Sequence, residues 1–331
     1  MKLIKPDYFD DFICLAGACP DSCCKDWAVD VDAESAHRYL ALEGELGDAL
    51  RAVLKEENSE YFMEIVDGRC PMWRQDGLCK IQAQLGHDGL CQVCQTFPRL
   101  RHDYGDFVEL GLELSCPRAA QLIFSSKGTL LSQVTDGAAP VEYDQEVMQI
   151  LQKSREAFLS FLAHTSLSVP QVLAVLLLYS YGVQGEIDGG EPIPFDPQDC
   201  LNRASGYAGS GDTQAIIVFF KELETLTPQW KSRLESPAEH PSWHDLKPLI
   251  RYFICRYWLQ AVSDFDLVCR VKFIVIACLL IHTLGGNLVQ TAQLFSKEIE
   301  NDADNVEAIL DGAYAAPAFT DAALLGLLLN S

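Results

Sequence analysis

Positive charge is scarce in this sequence. The 331 residues include 25 Lys and Arg against 47 Asp and Glu, which gives a net charge of −22 at pH 7. So negative a surface repels phosphate backbones and anionic lipid headgroups, and we expect no nucleic-acid partner. It suits a basic partner, such as a protein that presents lysines, although such charge also serves solubility alone.

Familiar catalytic signatures are missing as well. The chain has no glycine-rich phosphate loop, no nucleophile-elbow serine and no paired His/Glu helix motif. Histidine is limited to seven residues. His37 falls on a predicted helix, and His87 and His102 fall in predicted turns. Only His87 and His102 are near enough to the cysteine segments to be outside candidates for ligands. The residue pattern therefore assigns no catalytic or cofactor-binding side chain.

The sequence also lacks long apolar runs. Residues 1–11 contain no apolar core of signal-peptide length, and the runs Val172–Tyr179 and Phe273–Ile281 are shorter than a bilayer span. We therefore expect a cytoplasmic protein without membrane insertion, in which thiols stay reduced. The sequence does not indicate the oligomeric state.

Cysteine is abundant and unevenly placed. The last two thirds of the chain hold Cys200, Cys255, Cys269 and Cys278, which we interpret as small buried side chains. A disulfide framework is disfavoured by the odd total of thirteen and by the chain length. Thiolates as dense as those of the first third are typical of zinc, iron–sulfur or copper sites. The nine predicted metal ligands are Cys14, Cys19, Cys23, Cys24, Cys70, Cys79, Cys91, Cys94 and Cys116.

The spacing of these nine thiols differs from that of a common zinc finger. Only Cys91 and Cys94 form a Cys-x-x-Cys pair, and we expect the side chains of the neighbours Cys23 and Cys24 to point apart. Nine thiols exceed the four that one zinc ion or one cubane needs. Either a second centre forms or several of these cysteines are structural. Trp27 and Trp73 are expected to cover the metal site or pack the core.

Hydrophobic periodicity predicts a mainly α fold with two parts. Residues 1–125 form a cysteine-rich metal-binding module with a small β-hairpin, in which Arg99–Asp103 pairs with an alternating strand around Val108. Residues 125–143 are expected to be a linker, and residues 143–331 an α-helical bundle. Asp32 and Cys116 are expected to begin helices. Helices are predicted at about residues 33–56, 117–124, 144–164, 168–181, 213–224, 243–262, 266–284, 288–299 and 320–329.

Five stretches together resemble the flagellin lysine-N-methylase family and, more loosely, zinc- or iron-chelating cysteine-cluster domains. Their order and rough spacing match as well, over about residues 1–125. The stretches are Cys19-Pro-Asp-Ser-Cys23-Cys24-Lys-Asp-Trp27, Cys70-Pro-Met-Trp, Asp76-Gly-Leu-Cys79, Cys94-Gln-Thr-Phe-Pro98-Arg99 and Leu114-Ser-Cys116-Pro117-Arg-Ala-Ala.

The resemblance implies an S-adenosylmethionine-dependent methyltransferase of the bacterial flagellum. It implies methyl transfer to lysine ε-amines of flagellin or another lysine-presenting protein, with an iron–sulfur cluster of the 4Fe-4S type held by the cysteines. By position it carries over all the predicted ligands except Cys91. The alternative from a different class is a non-catalytic protein that binds zinc or iron for structure, metal handling or redox sensing.

Overall fold

The structure is a computed structural model that describes residues 1–135, 137, 140–207, 209, 211–240 and 242–330. It is 58% helix and 11% strand, which confirms the mainly α class. The strands are β1 Lys2–Pro6, β2 Val29–Val31, β3 Leu54–Glu57, β4 Glu60–Met63, β5 Arg99–Asp103, β6 Phe107–Leu112 and β7 Leu130–Val134.

Four strands form a sheet in the order β5-β6-β1-β7. The predicted hairpin is confirmed, with Arg101 opposite Leu110 in β5 and β6. The other two strands were not predicted: β1 runs parallel to β6, and β7 runs antiparallel to β1 with Gln133 opposite Leu3. The expectation of a linker at residues 125–143 was thus wrong where β7 forms. Asp136, Ala138 and Ala139 of that predicted linker lie outside the described residues.

The helices account for most of the chain. They are α1 Ala33–Ala41, α2 Gly44–Val53, α3 Lys80–Leu85, α4 Gln92–Thr96, α5 Pro117–Ser125, α6 Gln145–His164, α7 Val169–Ile187, α8 Pro197–Ala204, α9 Thr213–Lys221, α10 Pro228–Glu235, α11 Lys247–Tyr257, α12 Leu267–Leu284, α13 Leu288–Phe295, α14 Ala303–Ala315 and α15 Asp321–Leu329. One π-helical turn, Ser296–Glu300, follows α13 directly.

Local signals placed most helix starts correctly. The carboxylate of Asp32 accepts a hydrogen bond from Ser35 N at 2.9 Å, and Cys116 is the N-cap of α5. The single helix predicted at 33–56 is wrong, because the chain breaks between α1 and α2, where Gly44 has a φ of +83°. Residues beyond α2 enter β3, which pairs with β4 in a three-stranded sheet of order β2-β4-β3.

Two hydrophobic cores result. The larger surrounds α7 and α12 and also takes in Tyr8, Phe107 and one face of α5. The smaller is built from β2, β4, α1 and α2, around Tyr39 and Leu50. We call residues 14–98, which surround the smaller core, the cysteine region, and residues 117–330 the helical body. The predicted division at residues 125–143 into two domains stays a prediction.

Helix α12 is the central helix of the helical body. By length and composition its 18 residues could cross a membrane, so the expectation that every apolar run is too short was wrong. In this fold 89% of that segment is buried inside the protein. It is the one such helix among the described residues.

Candidate functional site

The predicted ligand cysteines come from four separate segments. Cys14, Cys19, Cys23 and Cys24 lie in the loop between β1 and β2. Cys70 and Cys79 lie in the loop between β4 and α3. Cys91 caps α4, Cys94 lies within it, and Cys116 caps α5.

Backbone hydrogen bonds align two of these loops. Cys70 N donates to Cys24 O at 2.8 Å, and Asp26 N donates to Gly68 O at 3.0 Å. Further along the second loop, Trp73 and Cys79 form an isolated β-bridge. The two hydrogen bonds between the loops each join residues more than 40 positions apart. They therefore bring the loops together without long strands.

Four thiols border the smaller core, and we call Cys24, Cys70, Cys79 and Cys91 the inner thiols. Cys70 and Cys91 are 5% and 1% exposed, whereas Cys24 and Cys79 are half-buried. Burial and, to a smaller extent, the charges of the other three inner thiols raise the pKa of Cys70 to about 12. Burial also raises the pKa of Cys79, with Cys24 and Cys91 acting in the same direction. The inner thiols thus lie close enough to influence one another.

A second set surrounds the start of α5, and we call Cys14, Cys19, Cys23 and Cys116 the outer thiols. Burial raises the pKa of Cys116 to about 11, and Cys19 and Cys14 add to the increase. Cys14 and Cys116 in turn contribute to the raised pKa of Cys23. Cys94 lies between the two sets, since Cys91, Cys24 and Cys23 all raise its pKa.

Two pairs of thiols are in direct contact. A hydrogen bond between the thiols of Cys23 and Cys24 raises the pKa of Cys23 and lowers that of Cys24. The same arrangement at Cys91 and Cys94 lowers the pKa of Cys91. The expectation that the Cys23 and Cys24 side chains point apart was wrong, because these residues lie in a turn, with Lys25 N donating to Ser22 O at 3.2 Å, and not in a strand.

The nine predicted ligands offer only sulfur as a donor atom. In the part of the chain that the structure describes, no three Cys, His, Asp or Glu side chains are already arranged to hold a metal ion. His87 lies in an exposed turn, and His102 faces a small cavity with Glu109 and Arg256. Soft thiols from several loops, with no histidine among them, have the donor chemistry that iron–sulfur clusters and structural zinc require.

The side chain of His102 is half-buried beside that small cavity. Its Nε2 atom has no hydrogen-bond partner among the described residues, and the cavity that it lines has a volume of about 40 Å³. Burial lowers the pKa of His102, and the positive charge of Arg256 lowers it further. His102 is therefore a half-buried residue of the four-stranded sheet.

A buried lysine joins the cysteine loop to the helical body. Lys297 is in the π-helical turn, its side chain 2% exposed, and its Nζ lies 3.0 Å from Asp21 and 2.7 Å from Asp26. Gln293 Nε2 donates to Asp21 at 3.0 Å and to Ser115 O at 2.7 Å.

The π-helical turn also holds a second buried charge. Glu300 accepts a hydrogen bond from Tyr257 at 2.8 Å and pairs with Arg256 at 2.9 Å. π-Helical turns inside helices are frequent at functional sites, because the extra residue changes the direction of the side chains. Here the turn presents Lys297 to the cysteine loop and Glu300 to α11.

The scattered cysteines are distant from these sets. Cys200, Cys269 and Cys278 are buried in α8 and α12, as expected of small apolar side chains. Cys255 is half-buried on α11 and lines the cavity beside His102.

Comparison with known proteins points in one direction. The chain is 28% identical over 196 residues to the lysine-N-methylase of Salmonella choleraesuis strain SC-B67, covering 54% of this chain and 47% of that protein. It is 27% identical over 193 residues to the lysine-N-methylase of Salmonella typhimurium strain LT2, with the same coverage. It is 31% identical over 132 residues to the flagellar biosynthetic protein FliU of Salmonella muenchen, covering 38% of this chain and 78% of FliU.

The matched part spans about half the length of the two lysine-N-methylases. No family model matches the chain. No solved structure matches it either.

Proposed function

The chain belongs to the flagellin lysine-N-methylase family, and we propose that it methylates lysine ε-amines of flagellin in the cytoplasm. We further propose S-adenosylmethionine as the methyl donor and a cysteine-bound iron–sulfur cluster as the cofactor. The observation that carries the proposal is the convergence of nine thiols from four segments beside the helical body. The names of the relatives support lysine as the acceptor.

The inner thiols are the set that we propose to hold the cluster. They border the smaller core, so their side chains are partly shielded from water, and they lie close enough to influence one another. Bound through three of these thiols, a cluster would keep one iron open and would supply a Lewis acid for the amino and carboxylate groups of the donor. The outer thiols would then be structural or hold a second centre.

The reaction itself needs little covalent chemistry from the protein. The bond between the methyl carbon and the sulfonium sulfur breaks as the bond to lysine nitrogen forms, and the amine gives up one proton to water or to a side chain. The protein has to hold donor and acceptor in line and exclude competing water. Fixing the cysteine loop on the helical body through Lys297, Asp21 and Asp26 serves this positioning.

The negative surface supports a lysine-bearing partner. A net charge of −22 attracts a basic protein segment over several ångströms and raises its rate of encounter. Salt should weaken this attraction because exposed charges are screened within about 10 Å at 0.1 M ionic strength.

The test combines metal analysis with flagellin mass spectrometry. Protein purified without oxygen should contain iron and sulfide in equal amounts, and Cys70→Ser should lose both. Cys278→Ser, in the core of the helical body, is the matched control and should keep them. Flagellin incubated with the wild-type protein and donor should gain 14 Da at lysines, and with Cys70→Ser it should not.

Two outcomes would contradict the proposal. Zinc without sulfide, together with unmodified flagellin, would assign the protein to the non-catalytic metal-binding class. Full methylation by Cys70→Ser would separate the reaction from the inner thiols.

A further inference from the structure

A cavity of about 250 Å³ opens beside the cysteine loops. Cys23 and Cys94 contribute to its lining, at the point where the two sets of thiols meet. Asp30 and Val93 are exposed and lie on its rim, so the cavity is open to solvent. Its position makes the thiols accessible to a ligand that enters from outside.

Two aromatic rings form part of the cavity wall. Trp27 and Phe97 pack edge to face, with ring centroids 6.2 Å apart and an angle of 61° between the planes. Trp27 is held in place by a hydrogen bond from its Nε1 to Cys23 O at 3.0 Å. Aromatic walls favour methylene groups, and ring faces also attract cations.

The side chain of Glu113 lines the same cavity, at the end of β6. Ser115 Oγ donates to Glu113 Oε2 at 3.3 Å, and in the described chain no Lys, Arg or His forms an ion pair with this carboxylate. The nearby Arg256 is paired with Glu300. Burial raises the pKa of Glu113, and the charge of Arg256 opposes this increase without forming an ion pair. A half-buried carboxylate with no ion-pair partner among the described residues, beside two aromatic rings, is suited to an organic cation on an apolar stem.

We propose that this cavity binds the side chain of the substrate lysine, with its methylene stem along Trp27 and Phe97 and its amine at Glu113. The inference rests on the proposed lysine methylation. At about 30 Å³ for each water-sized group, the cavity has room for about eight such groups, which covers four methylenes and one amine. The site would place the amine beside Cys23 and Cys94.

The same cation chemistry has a second source, because the methyl donor also carries an ammonium group. A lysine is favoured because the cavity opens at the surface and is flanked by the carboxylate of Asp30, where a side chain projecting from another protein can enter. The experiment therefore measures the two ligands separately.

The probes are n-butylammonium, as a mimic of the lysine side chain, and S-adenosylhomocysteine, as a mimic of the donor. Both are titrated calorimetrically into anaerobically purified full-length protein. Glu113→Gln should weaken butylammonium binding about tenfold or more, because a charged hydrogen bond contributes about 1.5–3 kcal/mol. Its affinity for S-adenosylhomocysteine and its metal content should stay within twofold of wild type.

A matched control is Glu298→Gln, since Glu298 is also buried but does not line the cavity. It should leave both affinities unchanged. Phe97→Leu is a second variant of the cavity that keeps its apolar character, and it should weaken butylammonium binding several-fold. Circular dichroism would establish that each variant is folded.

Unchanged butylammonium binding by both Glu113→Gln and Phe97→Leu would overturn the inference. A loss of S-adenosylhomocysteine binding with butylammonium unaffected would assign the cavity to the donor instead. Because neither titration requires methyl transfer, butylammonium binding that depends on Glu113 would support the cavity assignment even if flagellin stayed unmodified. That combination of results would contradict the proposed function but not the cavity assignment.

Discussion

The cysteine region and the helical body are stabilised in different ways. The helical body buries nearly every residue of α12 and much of α7, and its core contains large rings such as Trp258 and Phe295. The smaller core of the cysteine region has twelve fully buried residues among those described, and two of them are cysteines. Apolar burial suffices to stabilise the helical body. The cysteine region instead joins short helices and strands by long loops.

The difference predicts in which part of the protein a bound metal would contribute most to stability. Loops with few apolar residues bury too little surface to offset the conformational entropy lost on folding. Metal–thiolate bonds supply the missing stabilisation in such segments. We therefore expect the cysteine region, and not the helical body, to depend on its proposed metal.

The largest expected effect is metal removal. Chelation should raise hydrogen exchange in the cysteine region by about ten-thousandfold or more, equivalent to about 5.5 kcal/mol, because ligand binding energy is also folding energy. Amides of α12 should exchange at an unchanged rate. Exchange mass spectrometry with and without chelator measures both. Equal loosening of both parts would remove the distinction between them.

Truncating a buried side chain should destabilise mainly the part of the protein that contains it. Phe295 is fully buried and packs on Phe253 and Phe273, so Phe295→Ala should destabilise the helical body by about 3–5 kcal/mol. Leu50→Ala, in the smaller core, should cost about 2–5 kcal/mol in the cysteine region. Urea unfolding followed by hydrogen exchange locates each loss. If Leu50→Ala lowered the protection of α12 by as much as Phe295→Ala, the two cores would form one cooperative unit.

An intermediate effect is expected where the two parts meet. Lys297→Met keeps the length of the side chain but removes its pairs with Asp21 and Asp26. Since both carboxylates are partly exposed to water, the expected loss is about 1–3 kcal/mol, less than for a fully buried pair. Limited proteolysis in the loop before β2 should accelerate. A double-mutant cycle with Asp21→Asn would show no coupling if the pair is unimportant.

The smallest expected effect is a pH dependence at His102. Its folded pKa is below the unfolded value because burial, and then Arg256, disfavours the charged ring. The unfolded chain therefore binds more protons as pH falls below about 6.5, and stability is lost as pH falls towards the folded pKa. His102→Gln should flatten this dependence, measured from urea midpoints between pH 5 and 7.5. An unchanged slope would show that other groups cause it.

Much of the helical body could be predicted from local sequence. The N-caps Asp32, Asp144 and Asp266 accept hydrogen bonds from the first turns of α1, α6 and α12, and Ser168 and Gln171 form a capping box. These signals act within three or four residues. The predicted helix at 33–56 failed because its apolar spacing continued across Gly44, whose positive φ ends the regular pattern.

The candidate site was predictable only in part. The identities of the nine cysteines follow from sequence, and so does the hairpin of β5 and β6. Their division into inner and outer thiols does not, and neither does the contact between Cys23 and Cys24. No sequence motif marked Glu113 or Lys297. The residues that line the cavity with Glu113, and those that pair with Lys297, are distant in the chain.

The sequence by itself determined the helical character, most helix starts and the supply of thiols, because these depend on residue type and on spacing within a few turns. The tertiary structure alone decided that β1 inserts between β6 and β7, that Lys297 meets Asp21 and Asp26, and that Trp27, Phe97 and Glu113 surround one cavity. These contacts join residues separated by up to 276 positions. No local pattern encodes them, because their energies arise only when the whole chain is packed.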